Sequence, residues 1–375
     1  MLSNSPNTGS QSLLEYSVVY TERSLNHMSP IFQGVMKDVS ATLKEVYNAH
    51  SVAIVPGGGT FGMEAVARQF GSNKSCLVIR NGWFSYRWTQ IFEACNLPSE
   101  STVVKARRVR DEPEAPFAPA PIEEVVAAIK EKKPAVVFAP HVETSAGIML
   151  TEEYMKAVAD AVHSVGGLFV LDCIASGTIW LDMKACGIDV LISAPQKGWS
   201  AQPGYALLML SQAAREKAET TVSTSFAADL KRWLLIMEAY ESGSYAYHAT
   251  MPTNSLKVLR DVMKETREYG FDKVRQQQFE LGEKVRALLE SKGIKSVAAD
   301  GFKAPCVIVS YTKDKDVQSG KKFADAGLQI AAGVPLQCDE PADFQTFRIG
   351  LFGLDKLQNI DRTVENLRKA LNQIV

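Results

Sequence analysis

One lysine follows a short apolar run and stands among turn-forming residues. The run is Asp189–Ser193, and Lys197 lies in the next segment, 194–204, which carries two prolines and two glycines. This pattern predicts a buried β-strand that ends in a shaped turn. Burial beside a strand end favours the neutral, nucleophilic amine over the hydrated ammonium. Lys197 is therefore a candidate for covalent catalysis through its amine, with a solvated surface lysine as the alternative that this segment alone leaves open.

Two further features can share a site with that lysine. Asp172 ends the apolar run Leu168–Asp172, which places its carboxylate at the carboxyl edge of a sheet. The glycine-rich stretch Pro56–Thr60 lies between a predicted strand and a predicted helix, where backbone N–H groups and the helix dipole can hold a phosphate. A lysine, an acid and a phosphate site together suit pyridoxal 5'-phosphate, which carries an aldehyde, a basic ring nitrogen and a phosphate. Taken singly, Asp172 can instead cap a helix, and the glycines can form only a tight turn.

The glycine stretch also supports a rival interpretation. Residues Gly57–Gly62 match the GxGxxG pattern of dinucleotide-binding proteins, and Arg80 ends the next predicted strand, where an NADP enzyme can place a cation. An NADP-dependent oxidoreductase is therefore an alternative. A complete predicted helix precedes the glycine strand, which weakens this alternative, and it gives neither Asp172 nor Lys197 a role.

Bulk properties narrow the classes of function. The chain has 375 residues, which exceeds the usual limit of about 250–300 for one core and predicts two domains. The formal net charge of −1 gives no basic field, so we expect no nucleic-acid partner. No apolar run reaches the roughly 20 residues of a membrane span, and the polar Met1–Ser10 stretch does not resemble a secretory signal. Six scattered cysteines without a CxxC pair suit reduced thiols, which predicts a cytoplasmic protein without a metal site.

Hydrophobic periodicity predicts an α/β fold in which a mostly parallel sheet has helices on both faces. The predicted strands are Ser51–Val55, Cys76–Arg80, Ala135–Ala139, Leu168–Asp172, Val190–Ser193 and Tyr205–Leu210. The predicted helices among them are Pro30–Ala49, Phe61–Phe70, Ile122–Lys132 and Thr151–Val165.

The pattern changes after Pro252 and predicts a smaller α+β domain. Its predicted helices are Ser255–Tyr269, Asp272–Ser291, Gly320–Ala326 and Asp355–Ile374, and its strands are Lys295–Val297, Cys306–Tyr311 and Thr346–Gly350. We therefore divide the chain into an N-terminal segment near the active site (1–30), a large cofactor-binding domain (31–254) and a small C-terminal domain (255–375).

Several segments resemble one family. Ser193–Tyr205 is similar to the lysine segment of class V aminotransferases, in the alanine–glyoxylate and serine–pyruvate branch. The other matching segments follow in order: Gly58–Ala65, Asn81–Arg87, His141–Gly147, Leu171–Ser176, Tyr247–Thr250 and Phe347–Leu351. The resemblance spans about residues 50–353. It implies a fold-type I pyridoxal-phosphate enzyme with a large domain, a smaller C-terminal domain and a homodimeric assembly.

The resemblance also implies roles for individual residues. Lys197 forms the Schiff base with the cofactor and then acts as the general base, Asp172 pairs with the pyridine nitrogen, and Arg348 binds the substrate carboxylate. The remaining cofactor contacts it implies are phosphate binding by Gly59, Thr60 and Gln196, ring packing by Phe84 and Ile174, a contact of Thr144 on the phenolic-oxygen side, and contacts of Tyr247 and Thr250 with the partner's phosphate. The implied reaction moves an amino group from a small donor, such as alanine or serine, to a 2-oxo acid such as pyruvate or glyoxylate.

Departures from the family pattern bear on the substrate. The family's glycine- and proline-rich N-terminal segment is absent, and Leu13–Tyr20 stands in that neighbourhood. Arg80 is unusual before Asn81–Gly82, and Trp199 follows the lysine where a smaller aliphatic residue is common. We hypothesise that Arg80 or Arg23 adds a second anion contact and admits a bulkier or dianionic substrate.

Two alternatives to a transaminase would use the same cofactor. A cysteine desulfurase or β-lyase needs a mobile thiol, and Cys338 precedes Arg348 on a predicted loop. Gln196 argues against a desulfurase, because such enzymes resemble His-Lys at this point. A non-catalytic, cofactor-binding regulator is the other alternative, and the lack of a basic patch argues against it.

Overall fold

The computed structural model describes residues 13–374 of the chain. The helices in this part are α1 (Pro30–Tyr47), α2 (Gly59–Phe70), α3 (Trp83–Cys95), α4 (Ile122–Lys132), α5 (Glu152–Ser164), α6 (Met183–Cys186), α7 (Gln212–Thr220), α8 (Leu230–Glu241), α9 (Thr253–Tyr269), α10 (Phe271–Glu290), α11 (Lys315–Gln318), α12 (Lys321–Asp325), α13 (Leu354–Leu357) and α14 (Ile360–Ile374). The strands are β1 (Ser51–Pro56), β2 (Ser75–Arg80), β3 (Glu100–Lys105), β4 (Arg107–Arg108), β5 (Phe117–Ala118), β6 (Val136–Pro140), β7 (Val142–Glu143), β8 (Ile148–Met149), β9 (Leu168–Asp172), β10 (Val190–Ser193), β11 (Tyr205–Leu210), β12 (Val307–Tyr311), β13 (Ala331–Ala332) and β14 (Thr346–Gly350).

A seven-stranded sheet forms the centre of the fold. Its order is β1-β11-β10-β9-β6-β2-β3. β11 is antiparallel to both of its neighbours, and the pairings from β10 through β9, β6 and β2 to β3 are parallel. The prediction of a mostly parallel α/β sheet is therefore confirmed. Asp172 on β9 lies opposite Ile192 on β10, which brings the ends of these two strands to the same edge of the sheet.

The sequence explains why these elements form. The central strands are runs of valine, isoleucine and leucine that are buried on both faces, as expected where helices cover both sides of a parallel sheet. Ser29 caps α1 by accepting the backbone N–H of Phe32 at 3.2 Å, and Thr151 caps α5 in the same way. Both helices then bury one apolar stripe against the sheet.

Two of the three apolar clusters bear on the predicted change of pattern after Pro252. The core around the large sheet includes Leu256, Leu259 and Met263 of α9, and α9 packs against α1. A second core gathers residues of α10, α14 and the antiparallel sheet β12-β14-β13, with Phe347 at its centre. Our division at residues 254 and 255 stays a prediction, as does the 1–30 segment, whose first twelve residues lie outside the described part.

Some predicted elements differ from the observed ones. The predicted helix Asp355–Ile374 is two helices, α13 and α14, separated by a short break. The predicted strand Lys295–Val297 contributes only an isolated bridge between Ser296 and Ser310. Sequence periodicity missed α3, α7, α8 and β3. β3 gives a weak signal because it is a partly exposed edge strand, and α3 because it mixes polar residues with large aromatic ones. No helix within residues 13–374 is long and apolar enough to cross a membrane.

Candidate active site

Lys197 and Asp172 share a buried site at the edge of the large sheet. Asp172 is 8% exposed, and its Oδ1 accepts the backbone N–H of Ile174 at 2.9 Å. Burial raises the pKa of Asp172 to about 6, although the Ile174 N–H and the Lys197 charge both oppose this shift. Burial likewise lowers the pKa of Lys197, again against the attraction of Asp172. Desolvation thus moves both groups towards their neutral forms, which favours a nucleophilic amine on Lys197.

The first turn of α2 lies against the loop that follows Asp172. Gly57 and Gly58 have φ angles of 121° and 140°, which residues with a side chain rarely adopt. A Cβ at Gly59 would lie 2.5 Å from Ile174 Cδ1. Glycine at the N-cap supplies no capping side chain, so the N–H groups of the first turn are left for an anion.

Two arginines approach the ring of Phe84 at the start of α3. The Arg348 guanidinium on β14 lies 5.5 Å from the ring centroid, and its Nε donates to the carbonyl of Ala332 at 2.8 Å. The Arg87 guanidinium lies 5.2 Å from the same centroid, and its Nη1 donates to Thr60 Oγ1 at 2.9 Å. Phe84 therefore stands between the helix that holds the glycine turn and the strand that carries Arg348.

A buried carboxylate that the sequence did not reveal holds Phe84 in place. Glu143 is fully buried and accepts the backbone N–H groups of Phe84, Ser85 and Ser145 at 3.2, 2.9 and 3.1 Å. It also accepts the hydroxyls of Ser85 and Ser145 at 2.7 and 2.8 Å. Because Gly82, the N-cap of α3, has no side chain, Glu143 from β7 caps this helix instead. The signal in the sequence is an acid three residues after the end of a buried strand, β6.

Replacing Glu143 with glutamine should destabilise the protein without changing its shape. An amide keeps one acceptor oxygen but turns a donor towards the N–H and O–H groups that both carboxylate oxygens now satisfy. We expect the free energy of unfolding to fall by about 2–4 kcal/mol, as measured by urea denaturation. Glu93→Gln is the matched control, because Glu93 is exposed on α3, the helix that Glu143 caps. It should change the free energy of unfolding by less than about 0.5 kcal/mol. Equal losses in the two variants would contradict the capping role.

The residues present meet the chemical demands of pyridoxal phosphate. Lys197 would supply the amine, Asp172 an acid for the ring nitrogen, and the first turn of α2 a phosphate site. The hydroxyl Oγ1 of Thr144 is buried and has no hydrogen-bond partner among residues 13–374, so it is available to a polar atom of a bound ring. Ile174 packs directly against Gly59, beside the Asp172 carboxylate.

Three other residues singled out in the sequence are exposed: Gln196, Tyr247 and Arg23. Gln196 is exposed beside Lys197. Tyr247 is 57% exposed, and its hydroxyl lies 3.2 Å from Thr250 Oγ1 on the segment after α8. Arg23 is exposed, and its carbonyl accepts the Asn254 amide at 3.1 Å.

Arg80 is buried and already has partners. Its guanidinium lies 4.7 Å from the ring centroid of Tyr86, donates to Thr89 Oγ1 at 2.9 Å and donates to the carbonyl of Gln337 at 3.3 Å. These contacts attach the loop around Gln337 to the end of β2. A substrate contact by Arg80 stays a prediction.

Trp199 and Cys338 are also buried. The Trp199 ring lies 4.4 Å from that of Trp180 and packs near Phe271, within an aromatic cluster. Cys338 donates to the carbonyl of Arg80 at 3.4 Å, and burial raises the pKa of its thiol. A protonated, enclosed thiol does not suit the mobile nucleophile of a desulfurase.

Comparison with known proteins agrees with this geometry. The family model described as aminotransferase class-V matches residues 7–352. Alanine–glyoxylate aminotransferase 1 of Saccharomyces cerevisiae is 28% identical over 266 residues, which cover 67% of this chain and 66% of that protein, just under two thirds of its length. L-aspartate–glyoxylate aminotransferase of Paracoccus denitrificans is 26% identical over 88% of this chain and 81% of its own length. The crystal structure of alanine–glyoxylate aminotransferase from Nostoc sp. superposes with a TM-score of 0.77 at 21% identity, covering 93% of this chain and 89% of that one. The chain therefore belongs to the class-V aminotransferase family, and it is a transaminase with the fold-type I architecture and pyridoxal phosphate as its cofactor.

Proposed function

We propose that this transaminase moves the amino group of a small amino acid, such as alanine or serine, to a 2-oxo acid such as pyruvate or glyoxylate. The observation that carries the proposal is the buried Asp172 carboxylate with the half-buried Lys197 amine near it, beside the glycine turn of α2. The relatives named for alanine, aspartate and glyoxylate support a small carboxylic acid on each side of the reaction.

Lys197 is the proposed catalytic base. When bound, the cofactor supplies an aldehyde for the amino group and an electron-withdrawing ring that acidifies the Cα–H bond of the amino acid. The Lys197 amine would hold the cofactor aldehyde, and the free amine would move a proton to and from the substrate Cα. Desolvation lowers the pKa of this amine, which favours the uncharged form that can accept a proton.

The surrounding residues hold the cofactor in our proposal. Asp172 keeps the ring nitrogen protonated. Contacts with the ring and the phosphate are assigned to Gly59, Thr60, Phe84, Thr144, Ile174 and Gln196. Glu143 acts on this set through α3, because its hydrogen bonds fix the backbone of Phe84.

Arg348 is the proposed anchor for the substrate carboxylate. Its Nε is held by the carbonyl of Ala332, which fixes the plane of the guanidinium and leaves its two Nη groups for a carboxylate. The Phe84 ring beside it adds a cation–π contact at 5.5 Å. A planar, two-point contact of this kind selects amino and 2-oxo acids over amines.

We propose a homodimer in which the active sites are shared. Tyr247 and Thr250 lie on the surface together, as residues that reach a partner's phosphate must. Large apolar side chains are also exposed on the surface, at Phe61, Val222, Phe226 and Tyr245. Burying such side chains against a second copy would stabilise the assembly by roughly 1.5–3 kcal/mol for each one fully covered. We further propose a cytoplasmic location, which the six unpaired cysteines support.

Half-reaction spectroscopy tests the proposed reaction. Purified holoenzyme is mixed with single amino acids, and the absorbance of the pyridoxal form is followed as it converts to the pyridoxamine form. We expect alanine or serine to convert it fastest and pyruvate or glyoxylate to reverse the conversion.

The Cys338→Ser variant is the control for desulfurase chemistry. Because the thiol is enclosed, we expect this variant to transaminate at the wild-type rate and the wild type to release no sulfide from cysteine. Sulfide release that disappears in Cys338→Ser, or no conversion by any donor, would contradict the proposal.

A further inference from the structure

Arg87 connects the first turn of α2 with the face of Phe84. Its Nη1 donates to Thr60 Oγ1 at 2.9 Å, and its guanidinium lies 5.2 Å from the Phe84 ring centroid. Within residues 13–374 no acidic side chain forms an ion pair with it, whereas most arginines of this chain lie beside a carboxylate. A half-buried guanidinium with no acidic partner next to an anion site suits an anionic ligand.

We propose that Arg87 binds the phosphate of the cofactor and supplies the positive charge that the rest of the phosphate site lacks. The inference rests on the proposed function, because it takes Thr60 and Gly59 as phosphate contacts. The chain's own geometry then extends the site to α3.

The charges explain why such a residue is needed. A phosphate ester carries between one and two negative charges near neutral pH. The proposed phosphate contacts from Gly59, Thr60 and Gln196 are all neutral, and a helix N-terminus contributes only about half a positive charge. A guanidinium within hydrogen-bond reach of Thr60 Oγ1 balances the remaining negative charge of the phosphate. Its bidentate geometry also matches phosphate oxygens.

The hydrogen-bond directions are compatible with this assignment. Thr60 Oγ1 accepts from Arg87, so its own proton is left to donate to a phosphate oxygen. Arg87 uses one Nη1–H for Thr60, which leaves its other N–H groups as donors for an anion. The cation–π contact with Phe84 restrains the guanidinium in advance, which reduces the entropy lost on binding.

Binding of pyridoxal 5'-phosphate and of pyridoxal to the apoprotein isolates the phosphate contact, since the two ligands differ only in that group. The experiment titrates each ligand into wild type, Arg87→Gln and Arg87→Lys and follows ligand absorbance. We expect Arg87→Gln to weaken pyridoxal 5'-phosphate at least tenfold and to change pyridoxal less than about threefold. Arg87→Lys keeps the positive charge but not the bidentate guanidinium, so it should lose less affinity for pyridoxal 5'-phosphate than Arg87→Gln. Arg68→Gln, on the last turn of α2 beside Glu64, is the matched control and should leave both affinities unchanged.

The outcomes separate this inference from the proposed function. Equal losses for both ligands in Arg87→Gln, or no loss for either, would overturn the phosphate role of Arg87. A variant that keeps its preference for the phosphate ester but loses only activity on dicarboxylic donors would overturn it too, in favour of a substrate contact. If wild-type apoprotein itself failed to prefer the phosphate ester, the proposed phosphate site on α2 would be wrong.

Discussion

Replacing Lys197 with alanine should lower the rate of amino transfer by at least about a thousandfold. The variant loses both the amine that holds the cofactor aldehyde and the base that moves the Cα proton, and a positioned general base alone contributes roughly 10²–10⁴-fold. The measurement is the steady-state rate with a good donor and acceptor at saturating cofactor. Methylamine added to the Lys197→Ala variant should restore part of the rate, because a free amine can take over the proton transfer.

A matched control separates this loss from a general effect of removing a lysine. Lys156 is an exposed lysine on α5 that pairs only weakly with Asp160, at 3.5 Å. Lys156→Ala should keep the wild-type rate within a factor of two. A Lys197→Ala variant with more than a tenth of wild-type activity would be incompatible with the proposed base.

The second large effect is expected at Asp172. Asp172→Asn keeps the size of the side chain and removes its charge, so the ring nitrogen loses the acid that keeps it protonated. We expect the turnover rate to fall by about 10²–10³-fold, the usual loss when one preorganised electrostatic contact to developing charge is removed. Single-turnover kinetics with a good donor measure this step directly, and a loss smaller than about fivefold would count against the role of Asp172.

The pH dependence of stability gives the same residue a second, independent readout. Burial raises the pKa of Asp172 from 3.8 to about 6 in the folded apoprotein, so the folded state binds more protons than the unfolded state between these values. The stability contributed by the protonated carboxyl is fully present below about pH 4 and is lost as pH rises through 6. Relative to Asp172→Asn, wild-type apoprotein should lose on the order of 2–3 kcal/mol of unfolding free energy between pH 4 and 7. A constant difference across this range would show that Asp172 is not desolvated.

Much of the site follows from rules that act along the chain. Asp172 could be placed because an apolar run must end at a sheet edge, and Lys197 because it follows the next strand in a parallel arrangement. The glycines could be placed because only glycine adopts the φ angles that the turn before α2 requires. In each of these cases the local sequence pattern and the overall fold favour the same conformation.

The rest depends on contacts across space that periodicity does not encode. Glu143 caps a helix whose own N-cap is a glycine, and its partners Ser85 and Phe84 are distant in sequence. The long side chains of Arg80 and Arg87 leave the same short segment, yet one stacks on Tyr86 and the other on Phe84. The sequence gives the residue type and the segment that carries it, whereas packing decides where a flexible guanidinium lies.

Reduction of the holoenzyme with borohydride, followed by peptide mapping, tests the central claim most directly. Reduction fixes the cofactor to whichever amine holds its aldehyde, and proteolysis with mass spectrometry then identifies that residue. We expect loss of the visible absorbance band and a single modified peptide that carries the cofactor on Lys197, with no such peptide from Lys197→Ala. A cofactor fixed to another lysine, or a wild-type protein with no band to reduce, would contradict it.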